Sequence, residues 1–555
     1  MTPNLFDYFE SLPSSSGAHS PWTARAPGSA SDSFDLILVS SSPTWQEDAD
    51  SVQALGRIEA EPWVDEVIQV RDGVRLRLTE GRIEALGAAL EAGGGAEATL
   101  ADLARAQRFS VQFWDPNATK ALHAGHLRNL AIGNALSAAL GQAGALVERR
   151  SVISDMGRSM GEAMAGVMQS GRQARRFSDG DEKSDHFVGL CYASYVATSG
   201  GMFTPGDLEQ AEDSLSREVH VQNDAADDLL KRVLSGEHDA LEIWYKTRAW
   251  VISGQRKTLA RLGVSFDRVF FESDFLPEIA ELTETGLRSG VLKRREDGVI
   301  VYKTGLEELE ELALVRADGQ STQHMRSLAY CMNAPELEGV ESMQVCGAEW
   351  VSHLSSIQKL AQDLRPGSHD GFNPAYTIFH GMVSRQKRAL TSSAGALLID
   401  ELIEWVDTQI DSDPGRRAVR QSQSSPERLA AQVTLGFFLH RPATPDIDFD
   451  PEDLLGLDDS LGWDLARARA HAGREHAPGG PPAEDPDYRF AVVQSELYRR
   501  YLRLAVQRRD IWPLAHYLRR LARWYLREER SEHVEHLVHT LLDRSARGLG
   551  LEGTP

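Results

Sequence analysis

Short apolar runs and one alternating stretch open the chain. Residues 35–40 form an apolar run and residues 65–78 alternate apolar with polar side chains, which predicts strands. Residues 82–93 repeat apolar side chains at helical spacing and end in glycines. Residues 12–33 are rich in Ser, Pro, Gly and Ala, which indicates a flexible loop. We therefore predict an N-terminal α+β domain over residues 1–105, with a flexible start.

The next region alternates between strand and helix patterns. A strand pattern at residues 108–114 precedes an Asp-Pro turn, a helical pattern and a second strand pattern at residues 145–154. Strand, helix and strand in this order form the βαβ unit of a parallel sheet. A further strand, loop and helix follow at residues 341–364. We predict a Rossmann-like, doubly wound α/β domain over residues 106–405, with a helical insertion at residues 160–260.

The remainder of the chain is helical in pattern. Polar stretches at residues 412–428 and 471–489 predict breaks, and the second is rich in Pro and Gly. Apolar residues then recur at helical spacing almost to the end of the chain. These patterns predict an all-α domain over residues 406–555.

Composition narrows the class of protein. The chain has 555 residues, too many for one compact core, so several domains are expected. Its 41% hydrophobic and 25% charged residues are ordinary for globular proteins. A formal net charge of -23 argues against a uniformly basic nucleic-acid binder. A local basic face remains possible, because phosphate contacts need only a local cluster.

Cysteine usage and the apolar runs bear on the compartment. The three cysteines, Cys191, Cys331 and Cys346, form no CxxC pair, so we expect buried thiols in a reducing cytoplasm. The first residues lack the basic and apolar parts of a signal peptide. No apolar run reaches membrane-spanning length, so we expect no membrane span. We also expect the protein to be cytoplasmic and a monomer.

The stretch TKALHAGHLRN at residues 119–129 carries the first candidate chemistry. His123 and His126 stand three residues apart around Gly125, and Lys120 precedes them. On a helix the two imidazoles would share a face, as zinc ligands can, but further ligands at zinc spacing are missing. Two surface histidines without a role are the second explanation. A grip on phosphate is the third.

The position of this stretch favours the phosphate grip. It follows a strand and an Asp-Pro turn and opens a helix, where free N–H groups and the helix dipole attract anions. Gly125 permits close approach of a ligand. Lys120, His123 and His126 would add donors at the same end.

The wider pattern resembles a known family. The His-x-Gly-His stretch is similar to the ATP-binding signature of class I aminoacyl-tRNA synthetases, and in particular of arginyl-tRNA synthetases. The chain resembles that family, in the same linear order, at residues 116–136, 151–157, 259–274, 316–330, 345–354 and 435–455. The resemblance implies activation of an amino acid with ATP as an aminoacyl-AMP, followed by transfer to the 3′ end of tRNA. It implies Mg²⁺ carried with the ATP phosphates, and no metal site formed by the protein itself.

The amino-acid pocket departs from the family's pattern. Gln112 stands where the family has Glu, Asp115 where it has Ser, and Asn117 is kept. The family's Tyr and Asp that hold the arginine side chain correspond to Gln323 and Ser327. In the family's Gly-Ala-Asp-Gln, the last two positions are Glu349 and Trp350 here.

These departures bear on the substrate. A guanidinium is always charged and favours a bidentate carboxylate. Removing that carboxylate leaves a buried charge unpaired, at a cost of about 3–5 kcal/mol. Ser327 cannot replace it, whereas Asp115 or Glu349 could if its side chain were suitably placed. We therefore expect a smaller or less charged amino acid than arginine.

The family's second ATP signature, a Lys-Met-Ser-Lys-Ser type loop, is eroded. Its closest match, residues 389–393, contains Ser392 and Ser393 but no lysine, and Lys387 and Arg388 stand just before it. In the family a lysine before the first histidine compensates for such a loss, and Lys120 holds that place. A charged loop without a catalytic role is the alternative.

The resemblance implies that residues 1–105 form an additional domain that binds the outer corner of tRNA and that residues 406–555 form an anticodon-binding domain. Arginines and aromatic residues in the last helices suggest a tRNA contact. Arginine contacts phosphate and aromatic rings stack on unpaired bases. The alternative is an ordinary helical bundle with solvated arginines, and both descriptions can hold together. The candidate tRNA-binding residues are Arg499, Arg503, Arg519, Arg523 and Trp524.

Two further functions stay open. The changed pocket allows a repurposed paralogue that passes an activated amino acid to a small-molecule amine. The changed loop allows a catalytically weak tRNA-binding protein.

Overall fold

An antiparallel sheet occupies the N-terminal region in the computed structural model of the chain. Its strands β1 (Trp22–Arg25), β2 (Leu36–Ser40), β3 (Val64–Val70) and β4 (Gly73–Leu78) lie in the order β1-β2-β4-β3. Helices α1 (Leu5–Glu10), α2 (Ala49–Glu59) and α3 (Glu80–Glu91) accompany the sheet. The predicted strands and helix of this region are confirmed.

The predicted loop at residues 12–33 is wrong at its centre, because β1 lies there. Trp22 and Ala24 alternate with exposed neighbours and are buried, and β1 pairs with β2 along its length. Composition alone missed this strand because four residues show little periodicity, while pairing to a sheet edge stabilises even a short strand.

The structure describes the chain except for some segments. These are residues 1–4, 11, 13–19, 21, 27–28, 30–31, 33, 41–43, 92–99, 173–175, 178–181, 199–224, 306–308, 336–338, 366–375, 386–387, 390–396, 457–459, 472–482, 528–529 and 552–555.

Strands alternate with helices in the central region. The strands are β5 (Arg108–Trp114), β6 (Leu146–Ile153), β7 (Arg268–Phe271), β8 (Leu292–Arg294), β9 (Ile300–Lys303), β10 (Glu311–Val315), β11 (Val340–Gly347), β12 (Tyr376–His380), β13 (Val383–Arg385) and β14 (Arg388–Ala389). The helices are α4 (Leu127–Gln142), α5 (Arg158–Gln169), α6 (Ser184–Thr198), α7 (Ala225–Leu234), α8 (His238–Leu262), α9 (Leu276–Ser289), α10 (Gln323–Asn333) and α11 (Val351–Leu364).

A five-stranded parallel sheet is the centre of this region. The strand order is β12-β11-β5-β6-β7, and every neighbouring pair is parallel. Strand β5 is buried along almost its whole length, as expected of a central strand covered on both faces. The carboxyl ends of the strands meet at one edge, where ligands bind in open α/β sheets. The Rossmann-like α/β class is confirmed.

The region between β6 and β7 is helical, as the sequence predicts. Helices α5 to α8 fill it, and residues 199–224 lie outside the described part. The antiparallel sheet β10-β9-β8, which follows α9, was not predicted. Its strands span three to five residues, too few for the alternation of side chains to stand out.

Helices dominate the C-terminal region. After α12 (Ile399–Ser412) come α13 (Pro414–Gln421), α14 (Leu429–Leu439), the short β15 (Ile447–Asp448), α15 (Leu461–His471), α16 (Pro486–Arg508), α17 (Trp512–Tyr525) and α18 (Glu532–Gly548). The predicted break at residues 412–428 is wrong where α13 forms. Asp413 caps α13 by accepting a hydrogen bond from the Arg416 amide at 2.9 Å, and Pro414 suits its first turn.

A buried ion pair connects the N-terminal sheet with the C-terminal helices. Asp35, beside β2, accepts hydrogen bonds from Arg489 of α16, with Nε 3.0 Å from Oδ1, and from the Leu78 amide at 2.7 Å. Both charged side chains are less than one-tenth exposed. The N-terminal sheet is therefore fastened to the C-terminal helices by charge as well as by apolar packing.

Arg128, the second residue of α4, has a fully buried side chain. Its fully buried guanidinium donates to three backbone carbonyls, those of Gly381 at 2.7 Å, Pro445 at 2.7 Å and Pro442 at 2.9 Å. A Cβ on Gly381 would lie 2.5 Å from the Pro445 backbone, so the two segments are in close contact. Arg128 thereby joins α4, the end of β12 and the segment before β15.

We expect Arg128→Ala to lower the free energy of unfolding by at least about 3 kcal/mol, because three carbonyl oxygens lose buried donors at a cost of at least about 1 kcal/mol each. Urea unfolding followed by tryptophan fluorescence measures the change. The matched control is Arg71→Ala, whose side chain is exposed, with an expected change below about 0.5 kcal/mol. Equal effects of the two substitutions would contradict the structural role of Arg128.

Candidate active site

The HAGH stretch lies at the carboxyl end of β5, as the sequence predicts. Residues Ala124–His126 form a 3-10 turn that runs directly into α4, and His123 precedes it in an extended conformation. The two imidazole rings lie 4.0 Å apart between centroids. His126 Nδ1 is 3.2 Å from both the backbone N and the backbone O of His123. Gly125, half-buried, is the middle residue of the turn.

Both imidazoles are neutral at physiological pH. Burial, helped by the positive charge of Lys120, lowers the pKa of His126 to about 4. Burial and the nearby His126 and Lys120 hold the pKa of His123 well below its usual range. The histidines can therefore act as neutral hydrogen-bonding groups toward an anion, while half-buried Lys120 supplies the positive charge.

A second segment runs beside the HAGH stretch. The Ala124 amide donates to the Leu397 carbonyl at 2.9 Å, and the Ile399 amide donates to the Leu122 carbonyl at 3.0 Å. His123 and Leu398 face each other in an antiparallel bridge. The end of the eroded loop is thus hydrogen-bonded to the predicted phosphate grip.

Most of the loop itself lies outside the described residues. This applies to Lys387, Ser392 and Ser393, so their predicted contact with ATP stays a prediction. Arg388 belongs to β14, whose backbone pairs with β13. Strand β13 also pairs with β15, which links the loop to the C-terminal region.

A hydrogen-bonded chain crosses the predicted amino-acid side of the cleft. Tyr330 Oη donates to Gln112 Oε1 at 2.8 Å, and Gln112 Nε2 donates to Asp115 Oδ2 at 2.8 Å. Asp115 Oδ1 accepts from the Val152 amide at 3.1 Å. Solvent still reaches Asp115, but the surrounding protein atoms desolvate its carboxylate and raise its pKa to about 6. Its hydrogen bonds oppose that rise.

Helix α10 carries the two residues that replace the family's Tyr and Asp. Gln323 and Ser327 stand one helical turn apart, and Tyr330 lies on the same face of the helix. Tyr330 donates a hydrogen bond to Gln112 of β5, so this face lies toward β5. Gln323 and Ser327 are half-buried. The helix therefore presents both positions on the side that faces the end of β5.

The residues after β11 form a short 3-10 turn, Ala348–Trp350. The Trp350 ring packs edge-on against His353 of α11, with centroids 5.1 Å apart. The Glu349 side chain folds back over Gly347, where an added Cβ would lie 2.2 Å from its carboxylate oxygens. Burial raises the pKa of Glu349. Asn117, before the HAGH stretch, forms a backbone bridge to Ser154 after β6.

Two buried carboxylates at this edge were not singled out from the sequence. Glu272 accepts from Arg326 Nε at 2.6 Å and from Ser154 Oγ at 2.9 Å. Burial raises the pKa of Glu272, and Arg326 opposes the rise. The signal available was the acidic residue directly after the strand pattern in FFESD.

The second missed carboxylate is Asp155, which is fully buried. It accepts hydrogen bonds from Arg248 at 2.7 Å and from the Ser273 hydroxyl at 2.7 Å and amide at 3.0 Å. Each missed carboxylate therefore has its own guanidinium. The contacts described for Asp115 are instead with neutral groups, apart from repulsion by Glu272.

The cysteines are free thiols, and two of the three are buried as expected. Cys331 is only half-buried, so the expectation is wrong for it. It is the cysteine of α10 that lies near Asp115, and burial together with that carboxylate raises its pKa to about 12.

The predicted tRNA-binding residues lie on α16 and α17. Arg519 forms an ion pair with buried Asp464 at 3.2 Å, and Arg523 lies 3.8 Å from the same carboxylate. Trp524 packs against Phe490, with centroids 4.6 Å apart. Arg499 and Arg503 are half-buried on α16, the latter four residues after the former. Arg519 and Trp524 thus have structural contacts within the helical region.

Among the described helices, none is long and apolar enough to cross a membrane.

Known proteins resemble this chain in sequence and in fold. The family described as tRNA synthetases class I (R), catalytic domain, matches residues 96–194. The arginine–tRNA ligase of Amoebophilus asiaticus is 30% identical over 315 residues, 54% of this chain and 51% of that protein. The arginine–tRNA ligase of Treponema pallidum is 26% identical over 362 residues, 64% of this chain and 58% of that protein. The aligned part is thus between about half and three-fifths of these relatives' length.

Solved structures match over the whole chain. The arginyl-tRNA synthetase of Thermus thermophilus has a TM-score of 0.67 at 19% identity, covering 99% of this chain and 98% of that one. The Plasmodium falciparum arginyl-tRNA synthetase has a TM-score of 0.63 at 13% identity, covering 99% and 95%. At these identities the likeness concerns the fold.

We expect the His126 ring to titrate near pH 4, measured by NMR of protein labelled with ¹³C-histidine, with His126→Gln to assign its signal. Lys120→Met should raise that midpoint, because a positive neighbour is removed. The unfolded chain binds this proton near pH 6.5, so the contribution of His126 to stability is present above that pH and is lost as pH falls toward 4. A His126 midpoint near 6.5 would contradict the desolvation of its ring by the surrounding protein atoms.

Proposed function

We propose that this chain is a diverged member of the class I arginyl-tRNA synthetase family, which its sequence matches and its fold support, and that it activates an amino acid with ATP and transfers it to tRNA. The observation that carries the proposal is the pairing of the HAGH stretch with residues 397–399, the end of the loop that corresponds to the second ATP signature. This pairing brings residues 397–399, four positions after the candidate loop residues 389–393, next to the predicted phosphate grip.

The proposed chemistry follows from the charges at this edge. A carboxylate oxygen of the amino acid attacks the α-phosphorus of ATP, forming aminoacyl-AMP and releasing pyrophosphate. Lys120 stabilises the negative charge that develops on the phosphates, and the neutral His123 and His126 orient oxygen atoms through hydrogen bonds. A ribose hydroxyl of tRNA then attacks the carbonyl carbon of the aminoacyl-AMP, and AMP leaves.

Magnesium fits this scheme as a companion of ATP. The nearby carboxylates of Glu272 and Asp155 are held by Arg326 and Arg248, which makes them poor ligands for a cation. The ion would therefore be held mainly by phosphate oxygens, and it would supply further charge neutralisation there.

The proposed substrate is an amino acid smaller or less charged than arginine. Ser327 offers no carboxylate, and Glu272 is already paired with Arg326. Asp115 has no cation among its described contacts, so its carboxylate can bind the α-ammonium group that every amino acid carries. A second buried guanidinium would compete with Arg326 for Glu272, which disfavours arginine as the substrate.

Transfer to tRNA is proposed from the family and from the basic helices. Arg499, Arg503 and Arg523 are the candidates for contact with phosphate. Arg519 and Trp524 would instead hold the helices in place, through Asp464 and Phe490. An acceptor other than tRNA is the second candidate function. The changed pocket favours it, because residues that hold arginine in the family are replaced.

The deciding experiment is ATP–pyrophosphate exchange with each of the twenty amino acids, with and without total tRNA. We expect exchange with an amino acid other than arginine, and charging of tRNA with the same one. Exchange with arginine alone would refute the proposal about the pocket. Exchange without charging would favour a small-molecule acceptor, and no exchange under any condition would favour a tRNA-binding protein without activation.

Lys120→Ala should reduce exchange at least a hundredfold, because the proposed phosphate grip loses its cation. The matched control is Lys293→Ala, an exposed lysine of β8, which should keep the wild-type rate. Initial rates at saturating substrates measure both. If Lys120→Ala retains the wild-type rate, the loop residues must supply the charge.

Asp115 should give amino-acid binding a pH dependence. Its pKa of about 6 means that the carboxylate ionises as pH rises through 6, so the KM for the amino acid should fall about tenfold from pH 5 to pH 7. Asp115→Asn should remove this step while the KM for ATP keeps its own profile. A step that persists in Asp115→Asn would assign it to another group.

A further inference from the structure

A buried carboxylate stands directly after the segment that pairs with the HAGH stretch. Asp400 is the second residue of α12, and its side chain is 4% exposed. Its oxygens accept from Thr258 at 2.8 Å and Arg261 at 3.2 Å, and lie 3.3 Å from His186 Nε2. The Lys183 ammonium also contacts it. Thr258 and Arg261 belong to α8, His186 belongs to α6, and Lys183 immediately precedes α6.

Charge makes this contact strong. Burial alone would raise the pKa of Asp400, but the hydrogen bonds from His186, Lys183 and Thr258 and the charge of Lys183 outweigh it, so the pKa lies well below its usual range. The Lys183 ammonium also lies 3.4 Å from the buried carboxylate of Asp185. Asp185, His186 and Asp400 bring possible metal ligands within 4.8 Å, yet Lys183 already supplies a cation to both carboxylates.

The same insertion holds the start of the HAGH stretch. Gln255 of α8, almost fully buried, donates through Nε2 to the carbonyls of Asn117 at 3.1 Å and Lys120 at 2.9 Å. It lies one helical turn before Thr258 on α8. Helix α8 therefore binds both the backbone of Lys120, through Gln255, and the carboxylate of Asp400, through Thr258.

We infer that Asp400 is a positioning residue for ATP: its ionic contact with the insertion holds residues 397–399 against the HAGH stretch, and thereby fixes the place of that stretch and of Lys120 at the phosphates. The inference rests on the proposed function. Only the Ala124 and Ile399 amides donate backbone hydrogen bonds between these two described segments, so their register depends on a further anchor. Asp400 provides that anchor without touching the phosphates.

The test compares Asp400→Asn with Asp35→Asn. Both replace a buried aspartate that is paired with a cation, but Asp35 lies in the N-terminal sheet and pairs with Arg489. We expect both variants to lower the melting temperature. Asp400→Asn alone should raise the KM for ATP about tenfold, with the KM for the amino acid within twofold of wild type. Lys183→Met should reproduce this change, and Lys183→Arg should restore most of the wild-type KM.

Backbone hydrogen exchange tests the inference independently of activity. Asp400→Asn should speed exchange in the peptides that contain the Ala124 and Ile399 amides, whereas Asp35→Asn should leave them unchanged. If the wild-type protein shows no ATP–pyrophosphate exchange, the proposed function fails, while the hydrogen-exchange result still supports or refutes the anchor. The inference is overturned if Asp400→Asn leaves both the exchange of these amides and any measurable KM for ATP as in Asp35→Asn.

Discussion

The guanidinium of Arg128 is the constraint on which the arrangement of the cleft depends. It lies one residue after α4 begins and binds carbonyls at the end of β12 and before β15. Because α4 also continues from the HAGH turn, the predicted phosphate-binding end of the cleft and the entry to the C-terminal helices share one fixed point. Any displacement of either segment would leave buried polar atoms without partners, which is costly in an interior of low polarity.

Compensated charge organises the rest of the sheet edge. Glu272 with Arg326 and Asp155 with Arg248 are buried pairs whose hydrogen bonds are well formed. Such pairs contribute little net stability, but a single arrangement satisfies them, so they fix the relative positions of β6, β7 and α10. Asp115 differs because its described contacts are mainly with amides, so no guanidinium among them neutralises its charge.

Sequence patterns predicted the elements that repeat over many residues. The βαβ unit from residue 108 to residue 153 and the C-terminal helices are present, because their apolar periodicities are long enough to identify. Strand β1 was missed because its four residues depend on pairing with β2. Glu272 and Arg326 were missed because they are 54 positions apart, and only the fold shows that their charges meet. The roles assigned to Gln323, Ser327 and Trp350 remain predictions.

The Asp400 contact lies outside the pocket where this chain departs from its relatives. Gln323, Ser327 and the Asp115 region can therefore change without disturbing the network around Lys183. In the proposed function, activation of the carboxylate and selection of the amino acid therefore depend on different structural supports. Such a division would make the scaffold evolvable: side chains on α10 and β5 can be replaced while the buried contacts around Asp400 stay unchanged.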